Sequence, residues 1–227
     1  MLVNAGPTRE YIDTVRFLSN ASSGRMGYAV ARQATQAGHQ VVLVSGPVAI
    51  EPPAGVELVQ VVSADEMLDA CRTAFDGCEA AVLTAAVCDY RPVRRHGRKL
   101  KKGPDRQSLE LEPTPDIAAE LGARKGERVL VGFALEDHEA RVNAEGKLAA
   151  KRFDAIVLNS PASLGAEEAS VEFFVTPAPV VGGAHPTGWS GPFHGTKDEV
   201  AGEVVRLVQR LVGETGKRKN AETEPRP

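Results

Sequence analysis

Three stretches of this chain carry residue types suited to holding a polyanion. The first is Ser22-Ser23-Gly24-Arg25-Met26-Gly27, between a polar run and the start of a helical pattern. Small side chains there leave backbone N–H groups uncovered beside the positive end of a helix dipole, which is a place for phosphate oxygens. A serine N-cap followed by a glycine needed for close helix packing accounts for the same residues. Gly6, which ends the first apolar run, would reach the same rim of a sheet. In the second stretch Arg91, Arg94, Arg95, Arg98, Lys99, Lys101 and Lys102 crowd one aperiodic, glycine-containing segment. It reads as a solvated basic loop or as a lid over phosphates; a nucleic-acid patch would want interleaved aromatics. Third, Lys147 and Lys151 lie four apart on one helix face, where like charges cost stability unless an anion sits between them. A solvent-facing pair is the other reading.

Asp89 follows a strand end, where a carboxylate accepts from the amino group of a base or caps a helix. Cys88 has no base near it in sequence and reads as a small buried residue. No Ser/His/Asp set is recognisable, and the five histidines lack metal-ligand spacing. A dinucleotide fold would want G-x-G-x-x-G, of which only Gly24-x-x-Gly27 remains, and no acid follows the second strand to hold a ribose.

The elements that must position these residues alternate between short apolar runs and helical stretches, the pattern of βαβ units on a parallel sheet. Strands are expected at Leu2–Ala5, Val41–Val44, Glu57–Val62, Ala80–Thr84, Val129–Phe133 and Asp154–Leu158. A hairpin is expected from Val171–Val175 and Pro179–Gly182. Helices are expected at Arg25–Ala37, from the capping box Ser63-Ala-Asp-Glu66 to about Phe75, in a short piece that Pro113–Asp116 starts, at 136–152, and at Lys197–Val212. Residues 8–23, 91–108 and 183–195 read as loops. One domain over 1–213 and a disordered polar tail over 214–227 complete the organisation.

The 227 residues are 42% hydrophobic and 25% charged, with a net charge of −3. That balance suits one α/β domain and argues against a disordered chain, a nucleic-acid binder or a membrane partner. No apolar run approaches the roughly 18–20 residues of a membrane span. No secretory leader is expected, and three cysteines without a CxxC suggest a reducing, cytoplasmic setting.

Taken in order, several segments resemble one family, the phosphopantothenate–cysteine ligases of coenzyme A biosynthesis. They are Ala5-Gly-Pro-Thr-Arg-Glu10, Asp13-Thr-Val-Arg-Phe-Leu-Ser-Asn20, Ser22-Ser-Gly-Arg-Met-Gly27 and Val42-Leu-Val-Ser-Gly-Pro-Val48. Further on come Ala85-Ala-Val-Cys-Asp-Tyr90, Lys99-Leu-Lys-Lys102, Pro115-Asp-Ile117, Val131-Gly-Phe-Ala134, Lys147-Leu-Ala-Ala-Lys151 and Asp154-Ala-Ile-Val-Leu-Asn159.

The resemblance implies a Rossmann-like three-layer α/β fold with a mostly parallel sheet and a small hairpin. It implies an enzyme that activates 4′-phosphopantothenate with CTP and Mg²⁺ as an acyl-cytidylate. That intermediate is then passed to L-cysteine, releasing CMP and pyrophosphate. By position, Asn20, Lys99 and Arg16 are implied at the reacting groups, with Gly6, Ser22, Gly24 and Gly27 as phosphate cradle. Leu83, Thr84, Ala85 and Asp89 would read the base; Pro115, Asp116, Ile117, Ala118 and Phe133 would line the nucleoside pocket. Lys147, Lys151 and Lys99 would meet phosphates, and no metal ligand is assigned.

A homodimer touching near 171–182, a separate flavin-dependent decarboxylase as partner and no FMN site in this chain are also implied. Cys88 and Pro113-Thr114 depart from the family pattern, and no role is assigned between residues 160 and 178. An NAD(P)-binding oxidoreductase of the same general fold and an inactive nucleotide-binding scaffold are the rival readings.

Overall fold

A computed structural model describes residues 1–163, 165–176 and 188–223. The elements run β1 (Leu2–Ala5), β2 (Arg9–Tyr11), β3 (Phe17–Ser19), α1 (Arg25–Gln36), β4 (Val41–Ser45), β5 (Val56–Gln60), α2 (Ala64–Asp76), β6 (Ala80–Leu83) and β7 (Tyr90–Pro92). They continue as β8 (Leu111–Pro113), α3 (Ile117–Ala123), β9 (Val129–Leu135), α4 (Ala140–Ala150), β10 (Ala155–Asn159), β11 (Glu168–Val175), β12 (Gly188–Thr196) and α5 (Lys197–Thr223). Eight strands form one sheet in the order β12-β11-β10-β9-β6-β1-β4-β5. From β5 to β10 the pairing is parallel, and β11 and β12 complete it antiparallel.

Alternation along each strand sorts the core into two layers. Val3, Leu43, Val82, Val131 and Val157 face α1 and α5. Leu2, Val44, Ala81, Leu130 and Ile156 face α2, α3 and α4. The buried face expected of the last helix, Val200, Val204, Leu207, Val208 and Leu211, lies in the first layer. The capping box of α2 forms: Glu66 N–H donates to Ser63 Oγ at 3.2 Å, and Ser63 N–H donates to Glu66 Oε2 at 3.4 Å.

Three expectations need correction. Residues 8–23 are not simply a loop, because Arg9–Tyr11 and Phe17–Ser19 pair as a short antiparallel hairpin. The strand that pairs with Val171–Val175 is Gly188–Thr196, all but Thr196 of it inside the stretch read as loop; Pro179–Gly182 lie outside the described residues. That stretch has the glycines and proline that break an alternation pattern, so its strand is specified by pairing with β11 rather than by its own composition. β11 is flanked on both sides, by β10 and β12. Finally, α5 passes Gly213 and runs to Thr223, so the part of the tail through 223 is helical.

The order places β1 between β4 and β6. The chain leaves β1 toward β4 and β5, then returns through α2 to β6 on the other side. Ligands bind at such a reversal, beyond the carboxyl ends of the strands.

Candidate active site

Asn4, at the reversal, is 2% exposed. Its Oδ1 accepts from Thr84 N–H at 2.8 Å and from Ala85 N–H at 3.0 Å, and its carbonyl accepts from Thr84 Oγ1 at 2.6 Å. A buried amide meeting the unpaired ends of a diverging strand is satisfied rather than costly. It fixes where the chain leaves β6. Sequence reading passed over Asn4; its one signal is an amide inside an otherwise apolar buried strand.

Beyond that clip opens a cavity of about 550 Å³. Asn20, Ser22, Leu83, Ala85, Asp89, Pro115, Asp116, Ile117, Ala118, Phe133, Lys147 and Lys151 all line it. A second lobe of about 170 Å³ shares Ser22, Ala85, Ala86, Phe133 and Leu135 with the first. Gly24, Gly27 and Thr84 line this lobe, together with Arg25, Asn159, Ser163 and Lys197. The last three were not foreseen; Ser163 and Gly165 fall where no role had been assigned.

The second lobe is built on the N-terminus of α1. Its N-cap is Gly24, not a serine, and no side chain of the described residues caps it. Gly24 has φ 76°, and a Cβ there would lie 2.7 Å from Val48 Cγ1 and 3.3 Å from Gly6 Cα. Gly6 thus backs the cradle from behind, and it lines neither lobe. Gly27 does carry the packing role weighed for it: a Cβ would lie 2.4 Å from Thr84 Oγ1 and 2.5 Å from Ala5 Cβ. Ser22 Oγ accepts from Gly24 N–H at 3.3 Å. The first-turn amides of α1 are therefore open toward the lobe. Lys197 donates to the Ser163 carbonyl at 3.3 Å, and burial, aided by Arg25, lowers its pKa.

In the larger lobe the lysines each hold a carboxylate. Lys147 Nζ is 2.6 Å from Glu136 Oε1, and Lys151 Nζ is 3.2 Å from Asp116 Oδ2. The like-charge cost on α4 is offset by these acids. Asp116 also caps α3, accepting from Ala119 N–H at 3.0 Å. Asn20 Nδ2 donates to the carbonyls of Ala86 at 3.0 Å and Val87 at 2.9 Å, which leaves its Oδ1 as the acceptor in the cavity wall. Asp89 is exposed in the lining and is not the N-cap of any helix; its backbone carbonyl accepts from Thr114 N–H at 3.0 Å. Cys88 is buried, its thiol donates to the Thr8 carbonyl at 3.6 Å and the Leu18 carbonyl at 3.7 Å rather than to a base, and burial raises its pKa.

Arg16 and Lys99 line neither lobe. Arg16 is bound to Asp13 and to the Leu100 carbonyl at 2.7 Å, and Lys99 is exposed beside Leu100. Among the described residues no three His, Cys, Asp or Glu side chains converge as a metal cage. No described helix is long and apolar enough to cross a membrane.

The model of the DNA/pantothenate metabolism flavoprotein C-terminal domain matches residues 1–210. A protein of an unknown prokaryotic organism named cysteine/cysteine sulfinic acid decarboxylase is 48% identical over 168 residues, 73% of this chain and 47% of its own length. The coenzyme A biosynthesis bifunctional protein CoaBC of Bacillus subtilis (strain 168) is 45% identical over 167 residues, 73% of this chain and 41% of its own length. The chain thus spans less than half the length of these curated relatives. The crystal structure of the C-terminal domain of a CoaBC superposes with a TM-score of 0.76 at 37% identity, covering 94% of this chain and 95% of that one.

Proposed function

The chain belongs to the family of the DNA/pantothenate metabolism flavoprotein C-terminal domain, and from that premise we propose that it joins 4′-phosphopantothenate to L-cysteine at the expense of CTP. The observation that carries this reading is a single two-lobed cleft. Separated segments of the chain reach it: the loop before α1, the end of β6, the start of α3, the end of β9 and the lysine face of α4.

The reaction needs little covalent help from the protein. The substrate carboxylate attacks the α-phosphorus of CTP, and pyrophosphate leaves with the electron pair of the cleaved P–O bond. The cysteine amine then attacks the acyl carbon; CMP leaves, and a proton from the amine passes to solvent. What the site supplies is proximity and fixed positive charge. Lys147 and Lys151 exchange Glu136 and Asp116 for phosphate oxygens. The open amides of Arg25, Met26 and Gly27, with Lys197, take further phosphate oxygens. Leu83, Ala85, Asp89, Pro115, Ile117, Ala118 and Phe133 enclose the nucleoside, Asp89 accepting from the amino group of the base. Asn20 offers Oδ1 to the acyl-nucleotide, and the Arg16–Lys99 region lies outside the cleft in the free protein. Mg²⁺ is taken to enter with the phosphates of the CTP substrate.

The surroundings follow from the same reading: a cytoplasmic homodimer with a flavin-dependent decarboxylase, fused or separate, as its partner. The test is pyrophosphate release. It should require phosphopantothenate and CTP, with ATP a poor substitute, and CMP should appear only when cysteine is added. Pyrophosphate release that ignores phosphopantothenate, or tight NADPH binding in the same cleft, would sink the ligase reading. Lys99→Gln should lower turnover at least about tenfold with an unchanged melting temperature; full turnover would return Lys99 to the solvated surface.

A further inference from the structure

Asp13 is an aspartate with 0% exposure that nothing in the cleft requires. It sits in the turn between β2 and β3. One oxygen, Oδ1, accepts from the N–H groups of Val15 and Arg16, both at 2.8 Å, and so builds the turn. The other, Oδ2, reaches out of it. It accepts from Arg16 Nε at 2.9 Å, from Arg16 Nη2, and from Leu100 N–H at 3.1 Å, 87 residues further along the chain. Arg16 Nη2 closes the loop by donating to the Leu100 carbonyl. His96 N–H donates to the Ile12 carbonyl at 2.9 Å, and the Arg95 guanidinium lies 4.8 Å from the centre of the Tyr11 ring. The basic segment is therefore tied to this turn at both Arg95-His96 and Leu100.

Where the two tied parts lead gives the latch its meaning. The β2–β3 hairpin runs at its other end straight into Asn20. The β7–β8 pair, which brackets the basic segment, is rooted at Asp89 on one side and at Thr114–Ala118 on the other. All of these roots line the cleft. Two arms thus share the cleft at their bases and are joined at their tips by one buried carboxylate, with the His96–Ile12 and Arg95–Tyr11 contacts beside it.

We propose that Asp13 is a positioning residue of the reaction: through Oδ2 it locks Arg16 and the backbone next to Lys99 into one latch, so that these cations are presented in a fixed relation to the cleft. This rests on the ligase reading for the role of the cleft, and on geometry alone for the latch. Each arm's root keeps its own bonds, Asn20 to Ala86 and Val87, and Thr114 to Asp89. Nucleotide binding should therefore survive loss of the latch, while turnover should not.

The test uses Asp13→Asn in the full chain. Asparagine keeps an oxygen for the turn amides but puts an NH₂ where Leu100 N–H and Arg16 must find an acceptor. Trypsin reads the loosening directly, because Arg98, Lys99, Lys101 and Lys102 are exposed in the tied segment. Cleavage after these residues should quicken about tenfold, with kcat for the complete reaction down about tenfold or more and KM for CTP within about threefold. Arg16→Gln, at a half-exposed position, should quicken cleavage to a similar extent and serves if Asp13→Asn fails to fold. Unchanged cleavage in the variants that fold would overturn the latch. Faster cleavage with full kcat would overturn the positioning role. If the unsubstituted chain releases no pyrophosphate from CTP, the ligase reading fails while the cleavage comparison still decides the latch.

Discussion

At the scale of single residues, the site is organised by buried amides and carboxylates rather than by the residues that meet substrate. Asn4 satisfies two backbone donors where β6 ends, and only an amide or carboxyl oxygen could do so from inside a strand. Asn4→Leu keeps the volume, strands Ala85 N–H and leaves Thr84 N–H only the longer bond to the Asn4 carbonyl at 3.3 Å, so a urea titration should show a loss of about 1–3 kcal/mol; no loss would mean water replaces the oxygen. Asn20→Asp removes the two donors that hold Ala86 and Val87 and sets a charge in their place. Conversion of the intermediate should stall while CTP still binds; lost CTP binding would mean that Asn20 serves the nucleotide instead. Asp13 has a pH signature. Arg16 beside it holds its carboxyl well below its ordinary value of 3.8. A depressed pKa means stability present above the ordinary value and lost as pH falls below it. The melting-temperature gap between the chain and Asp13→Asn should be full at pH 7 and shrink once the pH drops beneath 3.8. A gap that is flat with pH would mean that the ion pair carries no stability.

At the scale of elements, α1 and α2 begin in opposite ways, and the contrast is functional. α2 opens with a complete capping box, and Glu10 adds a buried oxygen at 2.8 Å from Ala64 N–H. Its first turn is closed to any ligand. α1 opens on Gly24 with no cap, so its dipole and amides stay available. The cost of that open end is met by packing: Gly27 lets α1 lie against Ala5 and Thr84. Gly27→Ala should overpack this contact and cost about 1–3 kcal/mol in unfolding free energy. If Gly27→Ala melts like the parent, the helix has room to move and the close approach is not required.

At the scale of the whole molecule, strand order brings the pieces together. Because β1 lies between β4 and β6, the loops that leave the sheet on either side of the reversal face one another, and the cleft forms between them. The same topology leaves both two-stranded pairs, β2–β3 and β7–β8, outside the main sheet. They expose Phe17, Val93, Leu109 and Leu111. For the proposed homodimer this apolar surface is a better contact than the interior strand β11. Sedimentation of Phe17→Glu with Leu111→Glu should shift the chain to monomer at micromolar concentration; an unchanged dimer would place the interface elsewhere.

The sequence by itself determined the alternation of strands and helices, the capping of α2, the buried face of α5 and most of the segments that line the cleft. These are local properties: periodicity, caps and residue chemistry are written within a few positions of one another. Only the tertiary structure decided the rest. It paired β12 with β11 across glycines that no strand pattern would predict. It gave Lys147 and Lys151 their carboxylates from other elements. It set Gly6 behind the cradle instead of in it, and turned Arg16 from the cleft toward Asp13 and Leu100. The deciding partners range from the next strand of a hairpin to Leu100, 84 residues beyond Arg16, and a contact made by closing a loop leaves no trace in the spacing of its neighbours.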